Sequence, residues 1–241
     1  MNRMVLAETM KTAPLETGAT ITVAGVEAVC EPSGALWLPE RRLLVVSDLH
    51  LEKGATFARR RQFLPPYDTA ATLVLLQHAV ACRNPEIVIS LGDSFHDRIG
   101  SAHLPLPFRQ RLSALSRGRQ WIWISGNHDP DGVEGLEGDV VEDMSFAGLT
   151  FRHEPGHGKA PGEIAGHLHP AAAVTRREKT VRRPCFASDG ERLIMPSFGV
   201  LTGGLDLRHK AFTGLFDKAR LSAHLMNAGR IYSVPYGRLA G

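Results

Sequence analysis

Short apolar runs recur along the chain and stop abruptly at polar or glycine-led blocks. Leu43–Ser47 ends at Asp48, Ile87–Leu91 at Gly92 and Trp121–Ser125 at Gly126. Runs of this length with little polar alternation read as buried strands. Helical periods lie between them. Asp68 is placed to cap a helix running to about Cys82, with Leu73, Leu76 and Val80 on one face and Asn84-Pro85 as its stop. A second helix is predicted from Pro107 to Arg117, with Phe108, Leu112 and Leu115 stacked on one side and Gly118 ending it. Strand and helix therefore alternate through the first half, the pattern of layered α/β folds.

Upstream, Ile21–Val29 and Ala35–Leu38 read as a short strand pair around Pro32-Ser33-Gly34, and residues 52–67 as a polar connection. Beyond Gly126 the pattern turns to short strands, expected at Ser145–His153, Glu163–Gly166, Val174–Thr175, Arg182–Ala187, Arg192–Met195 and Ala211–Phe216. There is no internal repeat, low-complexity tract or linker. One domain over residues 1–241 is expected, with 1–20 as a loosely ordered N-terminal segment.

Composition narrows this only a little. The 241 residues are 43% hydrophobic and 22% charged, as in an ordinary globular protein. A net charge of +3 permits an anionic partner without demanding one. Cys30, Cys82 and Cys185 are far apart and form no CxxC pair, so reduced thiols are expected. Met1 to Thr20 contains no continuous apolar core of a signal peptide, and no stretch reaches bilayer-spanning length. A cytoplasmic enzyme is the expectation.

The polar blocks carry the chemistry. They are Asp48-Leu49-His50, Gly92-Asp93, Gly126-Asn127-His128-Asp129, a lone His153 and Gly166-His167-Leu168-His169. Ligands at strand ends are held by the sheet yet aimed into a crevice. In Asp-x-His, and again in His-Leu-His, residues two apart are expected to face one way. Gly92 allows the backbone close to an ion, and the Asp93 carboxylate has two oxygens with which to bridge a pair of ions. Asn127 adds a neutral carbonyl oxygen. Carboxylate, amide and imidazole together suit two divalent ions sharing one site, the signature of a metal-dependent phosphoesterase.

In their order and combination, these blocks resemble the calcineurin-like metallophosphoesterase superfamily over roughly residues 48 to 169. The resemblance implies a four-layer α/β/β/α sandwich of two mixed sheets flanked by helices. It implies one ion on Asp48, His50 and His169 and a second on Asn127, His153 and His167, with Asp93 bridging both. His157 lies close enough in sequence to compete with His153. Ions about 3.5–4 Å apart would clamp a phosphate and generate a bridging hydroxide that attacks phosphorus. His128 is left over from the ligand set, and by resemblance it assists the leaving group. The donor set points to manganese, with iron or zinc also accommodated.

Gly92-Asp93-Ser94-Phe95-His96 is similar to the SbcD-type DNA-repair nucleases, in which this histidine works with that of Gly-Asn-His. That makes His96 a second catalytic candidate, while Asp97 remains an alternative partner for His128. Longer segments include Gly34-Ala35-Leu36-Trp37, Leu64-Pro65-Pro66-Tyr67-Asp68-Thr69, Gly162 to Pro170 and Met195-Pro196-Ser197-Phe198-Gly199. From about Ile21 onward they resemble the bacterial ligase-associated DNA-damage-response endonuclease (PdeM-like) family. This implies a manganese-dependent phosphodiesterase and DNA endonuclease in DNA repair, linked to a DNA ligase, a helicase and an exonuclease-like protein.

Two basic clusters bear on DNA as substrate. They are Arg59-Arg60-Arg61, and Arg176, Arg177, Arg182 and Arg183 with Lys179. The second follows Gly-His-Leu-His closely enough to flank the metal site, and its four arginines are the substrate-binding candidates. Two other readings compete. One is a superfamily enzyme cleaving a nucleotide, cyclic nucleotide or lipid-linked pyrophosphate. The other is a non-catalytic scaffold, which predicts lost ligands that are in fact present.

Overall fold

Strands without polar alternation must be covered on both faces, and the fold provides that cover. The computed structural model describes residues 18–59, 67–130 and 133–240. Among the described residues, one sheet holds β1 (Ala19–Val23), β2 (Val26–Cys30), β3 (Leu36–Leu38), β4 (Leu43–Val46), β5 (Ile87–Leu91), β6 (Gln120–Ile124) and β7 (Asp139–Val141), in that order. Pairing is antiparallel from β1 to β4 and parallel from β4 to β7. The second sheet holds β8 (Asp143–Phe146), β9 (Leu149–Arg152), β10 (Glu163–Ala165), β11 (Pro170–Arg176), β12 (Lys179–Ser188), β13 (Leu193–Ile194), β14 (Leu205–Asp206), β15 (Ser222–Asn227) and β16 (Arg230–Pro235). It too is mixed, with β10 parallel to both β9 and β13.

Residue alternation sorts the side chains into layers. On β4, Leu43 and Val45 point between the sheets, while Leu44 and Val46 point to the helices; on β6, Ile122 and Ile124 face inward and Trp121 and Trp123 outward. Helices α1 (Lys53–Arg59), α2 (Asp68–Arg83) and α3 (Leu106–Ser116) lie beside this first sheet. Leu73, Leu76 and Val80 of α2, with Leu112 and Leu115 of α3, are buried in that outer layer. Between the sheets, Leu149, Phe151, Ile164, Phe186 and Leu193 meet the inner face of the first sheet. The fourth layer is thin. Phe212, Leu215, Leu221 and Leu239, from loops and single 3-10 turns, cover Cys185, Ala187 and Ala223 on the far side of the second sheet.

Several local expectations are corrected. Ile21–Val29 is two strands, because Ala24 and Gly25 both take positive φ (46° and 85°) and fold it into a hairpin. That first strand includes Ala19 and Thr20, the end of the segment expected to be loosely ordered; residues 1–17 lie outside the described residues. The polar connection contains α1, whose Gly54 N–H donates to Asp68 Oδ2 at 2.9 Å. Asp68 thus opens α2 and serves the neighbouring helix rather than capping its own. Ala211–Phe216 is a 3-10 turn and loop, not a strand: Phe212 and Leu215, three apart, bury together on the second sheet. No described helix is long and apolar enough to cross a membrane.

His224 on β15 is 7% exposed, with its Nδ1 2.7 Å from Ser233 Oγ. Burial holds its pKa down at about 4, against 6.5 for the free side chain. The unfolded chain therefore binds the proton first, and stability falls as pH drops through 6.5 toward 4. Between pH 7 and 5 the loss from this group should be about 2 kcal/mol. Urea midpoints of wild type and His224→Gln across that range will check it, the variant having the shallower slope.

Candidate metal centre

The ligand-bearing loops sit where β4, β5 and β6 end and where β9 and β10 run out toward them. After β4 the chain does not continue as a strand. Asp48, His50 and Glu52 take φ of 54°, 45° and 62°, and His167 and His169 take 65° and 43°. Left-handed residues alternate with Leu49, Leu51 and Leu168, whose side chains are buried in the cores. Residues two apart do share a side, as expected, but by alternating backbone handedness rather than by the pleat. Asp93 is also left-handed, at 45°. Each such residue costs roughly 1–3 kcal/mol, and such outliers concentrate at functional sites.

The loops are locked together by backbone bonds. His50 N–H donates to Asp93 O at 2.9 Å, Leu51 N–H to Ser94 O at 3.0 Å, and His96 N–H to Leu51 O at 3.0 Å. Gly166 N–H donates to His153 O at 3.0 Å. Gly126 is required by close approach, since a Cβ there would lie 2.2 Å from Asp93 N and 2.7 Å from Asp129 Oδ1. Asp129, buried behind the site, accepts N–H groups from Asp93 (3.1 Å), Ser94 (2.7 Å), Phe95 (3.1 Å) and Gly126 (2.9 Å). Burial raises its carboxyl to about 6 against the pull of those donors.

All seven expected ligands converge. Asp48, His50 and His169 form one triple and Asp93, His153 and His167 another, with donor atoms in each triple all within 4.8 Å of one another. Asn127 joins the second, its Oδ1 accepting from His153 Nε2 at 2.9 Å and His167 Nδ1 at 3.0 Å. Asp93 faces both groups, with Oδ2 4.0 Å from His50 Nε2 and Oδ1 3.4 Å from His153 Nε2. His157 is exposed and outside the cluster, so His153 is the histidine brought in.

The electrostatics fit a cation site. Asp48 Oδ1 and His169 Nε2 are both buried, and their polar partner is each other, 2.9 Å away as an ion pair. Burial alone would raise the Asp48 carboxyl, but the imidazoles of His169, His153 and His50 hold it below the usual range. Asp93 is likewise brought to about 2, chiefly by His153, against its own burial. His50, desolvated, falls to about 3 and so offers a neutral ring nitrogen. His153 rises to about 9 despite burial, because Asp93, Asp48 and the Leu91 carbonyl favour its charged form. A divalent ion would take that proton's place between the same acceptors. Oxygen and nitrogen donors with no thiol suit a borderline-hard ion: Cys30 and Cys185 are buried in the cores, and Cys82 lies exposed on α2.

His128 stands at the edge of the cluster. Its Nδ1 lies 3.0 Å from the backbone carbonyl of His96, which turns Nε2 toward Asp93 Oδ2 at 3.9 Å. The His96 ring stacks on His128 (5.1 Å, 19°) and on Phe57 (5.5 Å, 29°). The partner of His128 is thus the His96 main chain plus its ring. Asp97 instead accepts Thr56 Oγ1 at 2.8 Å.

One residue escaped the sequence reading. Lys53, the first residue of α1, lines the same cavity of about 240 Å³ as His50, Asp93, Asn127, His128 and His169. Its Nζ donates to Leu201 O at 3.0 Å, and partial burial lowers its pKa. It lies three residues after His50, in the segment Asp48–Gly54 that takes part in the family resemblance, with nothing there to mark it as a site residue. Of the basic candidates, Arg182 and Arg183 on β12 reach the neighbourhood of His169, while Arg177 is exposed at the β11–β12 turn beside Arg176, the last residue of β11. Arg60 and Arg61 lie outside the described residues.

A model of the calcineurin-like phosphoesterase family matches residues 41–182, a span containing every ligand position. Among solved structures, the nuclease MPE of Pseudomonas putida is 28% identical, with a TM-score of 0.68 over 90% of this chain and 100% of that one. YfcE, a phosphoesterase from E. coli, is 18% identical over 80% of this chain and 98% of its own, with a TM-score of 0.38. No curated protein sequence matches the chain.

Asp129→Asn replaces an acceptor of two N–H groups with a competing donor. It should lower unfolding free energy by about 2–3 kcal/mol and weaken metal uptake, because the Asp93 and Asn127 loops lose their common anchor. Urea unfolding and calorimetric metal titration measure the two effects.

Proposed function

This chain belongs to the calcineurin-like phosphoesterase family and is a metal-dependent hydrolase of phosphate esters; we propose that it is a two-metal phosphodiesterase that cuts DNA internally. The observation that carries the reading is the pair of ligand triples meeting at Asp93, with His128 beside them. The likeness to a nuclease supports nucleic acid as the substrate class. Asp48, His50 and His169 would hold one ion and Asn127, His153 and His167 the other, with Asp93 placed between the two groups. Manganese is the ion favoured by the donor set. Two such ions, when bound, polarise the phosphate and activate the attacking water.

The chain's own residues do the rest. Water adds to phosphorus and gives up one proton to solvent, the bond to the leaving sugar oxygen breaks, and His128 supplies that oxygen with a proton from Nε2 and is reprotonated from solvent. The His96 carbonyl and ring hold the imidazole at that angle. Lys53 neutralises a non-bridging phosphate oxygen, and Arg176, Arg177, Arg182 and Arg183 contact the flanking backbone. The reading includes a role in bacterial DNA repair alongside a DNA ligase, a helicase and an exonuclease-like protein. It also includes a reducing cytoplasm, in keeping with three unpaired cysteines.

Protein stripped of metal should leave supercoiled plasmid intact and nick it once manganese is restored. Asp93→Ala should abolish nicking, and His128→Ala should lower kcat by about 10²–10⁴-fold with two ions still bound. Lys53→Ala should raise KM roughly tenfold with a smaller change in kcat. Robust nicking by Asp93→Ala would falsify the bridging role. Hydrolysis of bis-p-nitrophenyl phosphate without nicking at any salt concentration would assign the enzyme to small diesters instead.

A further inference from the structure

The cavity over the ligands does not end at the metal centre. His169, Thr202 and Gly203 line it and also line a second hollow of about 490 Å³, bounded by β11, β12 and the loop from Ser197 to Gly204. Small-molecule sites span roughly 300–1,000 Å³. Phe198 and Met226 give this one an apolar floor, and Arg182 and Arg183 stand at its rim. Arg182 donates to Gly204 O and faces Asp206, while Arg183 Nε donates to Asn227 Oδ1 at 3.0 Å. Each guanidinium carries more donors than these partners take up. At the junction of the two hollows, Thr202 Oγ1 is buried and has no hydrogen-bond partner.

We propose that this second hollow seats one nucleoside, the sugar and base attached to the scissile phosphate, and so sets which diesters the centre accepts. The inference rests on the diesterase reading above. An apolar floor with polar edges matches a base, whose faces are apolar and whose rim is polar. Thr202 lies where the sugar meets the phosphate, so a sugar or phosphate oxygen there would accept the O–H bond that Thr202 does not otherwise make. The two guanidiniums lie beyond the base-sized space, where the next backbone phosphate emerges. A peptide carrying a phosphate would need N–H and C=O partners along an extended edge; in the loop from Gly199 to Gly204 several N–H groups are already taken, Gly199 donating to Asp48 O at 3.1 Å, Val200 to Thr72 Oγ1 at 3.3 Å and Thr202 to Gly199 O at 3.3 Å.

Val200, 41% exposed on the wall of the hollow, allows it to be filled without touching a core. In manganese-loaded enzyme, Val200→Trp should lower kcat/KM for a thymidine dinucleotide at least tenfold more than for methyl p-nitrophenyl phosphate, which is too small to fill the space. Thr202→Val should give the same selective loss without added bulk. In protein loaded with zinc, which is diamagnetic, thymidine 5′-monophosphate should shift the Met226 methyl resonance by ring current and leave the buried Met195 unmoved. Equal losses on the two substrates, or a silent Met226, would overturn the nucleoside seat and leave the diesterase reading standing. Wild-type enzyme inert to both substrates would end that reading and the seat together.

Discussion

A single buried carboxylate organises the centre. Asp129 gathers four main-chain N–H groups from two loops, three from the turn after β5 and one from the turn after β6. Desolvation makes such a charge costly, and only a full set of donors makes it tolerable. Once it is in place, Asp93 and Asn127-His128 can no longer move independently, and His128 N–H closes the join on Asp93 Oδ1 at 2.9 Å. Gly126 follows from the same constraint, since the clamp leaves no room for a side chain there.

The second sheet has its own anchor. Glu163 Oε1 accepts Gly156 N–H at 2.9 Å, while Arg192 Nη2 donates to Gly156 O at 2.7 Å. Arg192 Nε and Glu163 Oε2 lie 2.7 Å apart, and both side chains are almost wholly buried. This pair grips the peptide three residues beyond His153 on both sides. Breaking one member of such a pair is costlier than the pair's net worth, because the survivor is left charged in a dry setting. Ligand loops from each sheet are thus tied down by ionised groups outside the ligand set.

Much of this was legible in the sequence, for identifiable reasons. Leu43–Val46, Ile87–Leu91 and Gln120–Ile124 are flanked on both sides, so their apolar runs betray them, and the ligands follow at their ends. Helix α1 was hidden because it is seven residues long, contains Gly54 and is held by Asp68 and Asp97 rather than by an apolar stripe. The Ala24 turn was hidden because alanine rarely takes positive φ. The β15–β16 hairpin is half exposed and bounded by Ala228-Gly229, a weak turn signal. Lys53 could not be singled out because its role depends on where α1 begins. The facing of Asp48 with His50, and of His167 with His169, was read correctly from spacing, although its backbone cause was invisible.

Each ligand triple draws on both halves of the sandwich. Asp48 and His50 come from the first sheet and His169 from the second, whereas Asp93 comes from the first and His153 and His167 from the second. A cation seated in either triple is therefore a rivet through the seam between the sheets. Occupancy and cohesion of the two halves become one equilibrium, and ions that favour the folded chain stabilise it by mass action. Removing them would loosen the molecule first along that seam, and the packing of α2 and α3 on the first sheet last.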